Sequence, residues 1–122
     1  MKAVRVEKNG EDVSLHVDTI EDPTPGPGQV RIAMEWGGIC GSDLAYWRHG
    51  ASGTAILREP LILGHEVAGT IDMVGEGVET VKVGDHVTVH PATNVGNHVM
   101  PEHLKGRDNL WPECRYFGSA AF

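Results

Sequence analysis

The sequence predicts a mainly β fold of many short strands with short helices between them, and three observations carry that prediction. Val/Ile-rich runs recur along the chain, and 16 glycines and 7 prolines fall between them, which is the punctuation of strands and turns. Asn9-Gly10 separates two such runs, a strong hairpin signal. From Gln29 to Trp36 apolar and polar residues alternate with the period of a half-buried strand. At 122 residues and 40% hydrophobic content, the chain suits one globular domain, residues 1–122, with a modest core.

Taken in order, residues 2–8 and 12–18 read as the two arms of the hairpin. Glu21 to Gly28, with three prolines and two glycines, reads as a rigid loop. Val30, Ile32 and Met34 mark one face of the next strand. Ser42 and Asp43 are natural N-caps for a short helix through Arg48. Residues 67–74 form a strand, Gly75-Glu76-Gly77 a turn, and residues 81–83 and 87–89 two further short strands. Beyond Pro91 the periodicity fades, and residues 94–115 read as an irregular, polar lobe.

Composition excludes several roles. Net charge is -7 and the ten Lys and Arg are scattered, so neither nucleic acid nor an anionic membrane is an expected partner. No apolar run approaches the ~20 residues of a membrane span. Met1 leads straight into Lys2-Ala3-Val4-Arg5-Val6 without the apolar stretch of a signal peptide. A cytoplasmic protein with Cys40 as a reduced thiol is therefore expected; the two cysteines, Cys40 and Cys114, do not make a secreted disulfide scaffold. Gly75-x-Gly77 fails as a dinucleotide fingerprint because Thr80 fills the third glycine position and no helix follows. No Rossmann domain is expected in this chain.

Two short motifs carry chemistry: Gly38-Ile39-Cys40-Gly41-Ser42-Asp43 and Gly64-His65-Glu66. Thiolate, imidazole and carboxylate are the side chains that hold a catalytic zinc, at about 2.0–2.3 Å, while leaving one position open. Cys40 falls at a strand-to-helix turn, where backbone N–H groups would stabilise a thiolate; equally, a buried cysteine serves as a small hydrophobe. His65 and Glu66 are adjacent and would point to opposite faces of a strand, so both reach one metal only if Gly64 bends the chain. Ser42 and Asp43 read as caps, and Tyr46 as a core aromatic.

The spacing Gly64-His65-Glu66-x-x-Gly69, with Gly75 and Val78 beyond it, resembles the zinc signature of the medium-chain alcohol dehydrogenases. Gly38–Asp43 resembles the first ligand motif of that family. Gly38–Leu44, Tyr46 and Arg115-Tyr116-Phe117-Gly118-Ser119 resemble its polyol branch, the sorbitol and idonate dehydrogenases. The resemblance implies a GroES-like, partly open barrel, the family's N-terminal catalytic domain. It implies one catalytic zinc on Cys40 and His65, with Glu66 as a carboxylate beside the metal that in the polyol branch is a direct ligand with water completing the site. It also implies Asp43 as the residue that orients the ligand histidine. Ser42 is implied as the hydroxyl that receives the substrate proton, and Tyr46 as part of the substrate pocket. The implied reaction is oxidation of a small alcohol or polyol to a ketone with NAD or NADP.

The chain departs from that pattern in three places. Ala45 replaces the relay histidine, and alanine carries no proton. The lobe lacks the four cysteines of a structural zinc, and Cys114, His98 and His103 are too few soft ligands at unsuitable spacing to replace it. The sequence ends at Phe122, before the domain that would bind NAD or NADP, so the expectation is a chain that binds zinc but turns nothing over alone. An apolar face left for that domain would favour association, as a homo-oligomer or with another chain. Two other classes compete. A non-catalytic barrel acting as an assembly module fits the missing domain but not two complete ligand motifs. Hydrolytic zinc chemistry fits the open metal position but has no base beyond Glu66.

Overall fold

A computed structural model describes residues 1–119. Strands β1 (Lys2–Asn9) and β2 (Asp12–Thr19) pair antiparallel from Lys2↔Thr19 to Asn9↔Asp12. The pairing runs one residue further than the Asn-Gly signal suggested, so the loop residues are Gly10 and Glu11. Gly10 takes φ +65°, the left-handed conformation that glycine adopts without penalty. Arg5 on β1 clasps both Glu7 and Asp18, tying the hairpin's outer face.

Strand β3 (Val30–Gly37) leads into helix α1 (Gly41–His49), followed by two-residue strands β4 (Ala51–Ser52), β5 (Ala55–Ile56) and β6 (Leu61–Ile62). Strand β7 (Val67–Val74) pairs along β3 from Val30↔Val74 to Gly37↔Val67. Two register shifts interrupt that ladder, leaving Asp72 and Glu35 unpaired. Such bulges increase the twist of a strand and re-aim its end, here the end of β3 that runs into the Cys40 motif. Gly69 makes the tight pairing feasible, since a Cβ there would lie 2.1 Å from the Ala33 carbonyl oxygen.

Strand β8 (His86–Thr88) adds to β7 at Ala68↔Thr88, Gly69↔Val87 and Thr70↔His86. The expected strand at 81–83 does not form. Asp85 accepts the Lys82 N–H at 3.0 Å and donates its own N–H to the Lys82 carbonyl at 3.1 Å, closing a turn that removes Lys82 from any ladder. Strands β9 (Ala92–Asn94) and β10 (Cys114–Tyr116) pair with each other across the neck of the irregular segment, which holds 3₁₀ turns at Glu102–Leu104 and Asp108–Leu110. That neck went unread in the sequence because its strands are three residues each.

Among the described residues the strands fall into four small sheets, β2-β1-β6, β3-β7-β8, β4-β5 and β10-β9. Together they form a partly open barrel, without a closed ring of hydrogen bonds. Val6, Tyr46 and Leu57 form the core between the hairpin, α1 and the β5–β6 segment, with Val13, Ala55, Leu61 and Leu63 packed around them. No described helix is long and apolar enough to cross a membrane.

Candidate metal centre

The site is assembled where β3 ends, α1 begins and the β6–β7 connection turns. Cys40 occupies the N-cap of α1 in extended conformation, φ -78° and ψ 156°. Ser42 and Asp43 therefore lie inside the helix and are not its N-cap, a correction of two to three residues to the sequence reading. Asp43 stands at the third helical position and reaches back, its Oδ2 accepting the Cys40 N–H at 2.8 Å. This is one half of a capping box, in which an acidic residue satisfies the N-cap amide. Gly50 ends the helix at φ +65°, its N–H bonded to the Tyr46 carbonyl at 2.8 Å.

Gly64 supplies the bend that two adjacent ligands require. Its φ of +109° is a conformation that favours glycine, and it lies between β6 and β7 where no ladder constrains it. His65 is thereby turned inward, 7% exposed, while Glu66 stays at the surface. Gly38 brings the other side close. Its N–H donates to the Glu66 carbonyl at 2.7 Å, and a Cβ there would sit 2.2 Å from Glu66 Oε2.

The outcome is that one ligand atom from each of Cys40, His65 and Glu66 lies within 4.8 Å of the other two. Both cysteines are free thiols. Asp43 Oδ1 lies 3.7 Å from His65 Nδ1, and both atoms are buried without a hydrogen-bond partner. Buried polar atoms left unpaired are costly, about 1–3 kcal/mol each, so native proteins keep few of them. Asp43 thus turns one oxygen to the helix start and the other toward the histidine.

This cluster opens on a cleft of about 460 Å³, walled also by Trp36, Thr88 and Tyr116. Ser42 is half-buried and Tyr46 fully buried, and neither forms part of the cleft wall. Tyr46 instead anchors the core beneath, its hydroxyl 2.8 Å from Ser119 Oγ. Sequence reading missed Trp36 and Thr88 as wall residues. Tyr116 had been read only as part of a family motif, yet its ring stands edge-on to His65 with centroids 5.3 Å apart.

Residues 26–122 match the family described as the alcohol dehydrogenase GroES-like domain. The chain is 43% identical to sorbitol dehydrogenase of Gallus gallus, with 98% of the chain and 36% of that protein aligned. Among solved structures it resembles 2R,3R-butanediol dehydrogenase from Bacillus subtilis, at TM-score 0.73 and 35% identity over 98% of this chain and 34% of that one. It also resembles L-idonate 5-dehydrogenase from Escherichia coli, at TM-score 0.72 and 27% identity over 99% of this chain and 33% of that one. The chain thus spans about a third of the length of these relatives. It belongs to the alcohol dehydrogenase GroES-like domain family, as an N-terminal domain of the medium-chain oxidoreductases near their sorbitol dehydrogenase branch.

Proposed function

We propose that residues 1–122 form the zinc-binding, substrate-side domain of an NAD(P)-dependent dehydrogenase that oxidises a secondary alcohol of the polyol class to a ketone. The observation that carries this reading is the meeting of three ligand atoms, sulfur, nitrogen and oxygen, within 4.8 Å of one another. A modest contraction brings that set to zinc distances, and the donor chemistry is that of a catalytic site with an open position. The unpaired Nδ1 of His65 and Oδ1 of Asp43 fit the same reading. A histidine that ligates through Nε2 keeps its proton on Nδ1, and a carboxylate facing that proton fixes the tautomer.

Bound zinc would act as a Lewis acid that draws electron density from an alcohol oxygen and eases loss of its proton. Cys40, His65 and Glu66 would hold it, and of the three Glu66 is the most exposed. Ser42, two residues beyond Cys40, accepts the substrate proton. Ala45 stands where the relay histidine would be, so that proton leaves through water. Tyr46 acts from below, fixing the α1 face that carries Ser42 and Asp43. A nicotinamide cofactor would supply the acceptor for the substrate's hydride. The 122-residue chain alone would take up metal without turnover.

Metal analysis of the folded chain, purified without chelator, tests the reading. About one equivalent of zinc is expected; less than a tenth of an equivalent in folded protein would sink it.

A further inference from the structure

The segment from β10 onward touches the metal centre at two points and the core beneath it at a third. Tyr116 stands edge-on to His65, the ring planes 76° apart. Gly118, at φ +65°, passes so close to Gly64 that a Cβ at 118 would lie 2.2 Å from the Gly64 carbonyl oxygen and 2.6 Å from its carbon. Ser119 Oγ shares a hydrogen bond with the Tyr46 hydroxyl at 2.8 Å. The base of the segment is fixed as well. Tyr116 pairs with Ala92 in the β9–β10 ladder, and the Phe117 N–H donates to the Pro91 carbonyl at 3.1 Å.

Two of these contacts, those of Tyr116 and Gly118, meet at His65 and Gly64, the bend that the site depends on. Asp43 faces the imidazole at 3.7 Å and makes no hydrogen bond to it, so it does not by itself fix the ring. The edge-to-face contact from Tyr116 is a further constraint on it. Such pairs have a preferred geometry because the positive edge of one ring meets the negative face of the other. We infer that Tyr116 is a positioning residue for His65, and that the backbone contact of Gly118 on Gly64 holds Tyr116 in place. The inference rests on the proposed role of His65 as a zinc ligand. It assigns the work to the aromatic ring and not to the hydroxyl.

Cobalt(II) titration of the 122-residue chain tests it, with affinity read by chelator competition and ligand geometry by the visible absorption bands. Folding is checked by circular dichroism. Tyr116→Phe is expected to match the unaltered chain. Tyr116→Leu is expected to bind cobalt about tenfold more weakly with shifted bands, the range that loss of an outer partner of a ligand histidine produces. If Tyr116→Leu does not fold, Gly118→Ala serves in its place, because the added methyl displaces the segment while leaving Tyr116 intact; the same weakening is expected. The inference is overturned if the folded Tyr116→Leu or Gly118→Ala chain binds like the unaltered one, or if Tyr116→Phe is as weak as Tyr116→Leu. Failure of the unaltered chain to bind cobalt would instead overturn the zinc reading itself.

Discussion

His65 and His98 carry the same local arrangement in two settings. Each stands edge-on to an aromatic ring, Tyr116 at 5.3 Å and 76° for the first, Trp111 at 5.7 Å and 84° for the second. Each also has a carboxylate at a ring nitrogen. Glu113 Oε2 lies 3.1 Å from His98 Nε2, whereas Asp43 Oδ1 lies 3.7 Å from His65 Nδ1. Around His98 the polar groups find partners, and the Trp111 indole N–H donates to the Val95 carbonyl at 2.7 Å. That arrangement closes the irregular segment on itself at the surface. Around His65 the pair is buried and unpartnered, with a thiol and a second carboxylate close by. What separates a structural histidine from a candidate ligand here is burial and company, not residue type.

The sharpest way to break this comparison is to remove each imidazole. His65→Ala is expected to abolish stoichiometric zinc binding, an affinity loss beyond the ~100-fold that an outer partner can cost. His98→Ala is expected to leave zinc content unchanged. Elemental analysis of both folded variants decides the matter, and zinc lost from the second but kept by the first would reverse the assignment.

Removing each carboxylate gives a smaller contrast. Asp43→Ala takes away the partner of the Cys40 amide as well as the group facing His65. A stability loss of about 0.5–2 kcal/mol from the helix start is expected, together with zinc binding ~10-fold weaker or more. Glu113→Ala breaks a pair at the surface, worth under about 1 kcal/mol, with zinc affinity unaltered. Denaturant unfolding and chelator competition on the two variants separate the effects.

The fold was largely legible because its signals are local. The Asn-Gly hairpin, the alternation along β3 and the Gly-x-Gly turn each depend on a few neighbouring residues. That turn is confirmed as packing, since a Cβ at Gly75 would meet the Gly26 carbonyl oxygen at 2.0 Å. The motif spacing pointed to Cys40, His65 and Glu66, but whether they meet depended on Gly64 and Gly38, whose conformation and close approach no spacing displays. Tyr46 was legible in the other direction: an aromatic in a short helix reads as core, and it packs against Val6 and Leu57. Tyr116 could not be linked to His65, because 51 positions separate them and the β9–β10 neck that joins them is three residues wide. At 81–83 the valines suggested a strand, and the Asp85 side chain, a turn former, won.

The exposed ion pairs supply the smallest test, one that asks whether surface charges behave as the His98–Glu113 setting implies. Arg31 bonds to Asp72 at 2.9 Å across the β3–β7 bulge, and this hydrogen bond holds the Asp72 carboxyl below its ordinary value. Glu7 is lowered by its bond to Arg5, Asp22 by the N-terminal ammonium, and Asp85 by Lys82. In each the folded value lies below the unfolded one. Their stabilisation is therefore complete above the ordinary carboxylate range and is lost as pH falls through the depressed values. Arg5 and Arg31 are raised and stay charged throughout, adding nothing to that slope. Melting temperature should hold steady from pH 7 to about 5 and decline below about 4. Because the pairs lie at or near the surface, added salt should flatten the decline, and Asp72→Asn should remove only its own small share. An acid decline that salt leaves untouched would show that these surface pairs do not control it.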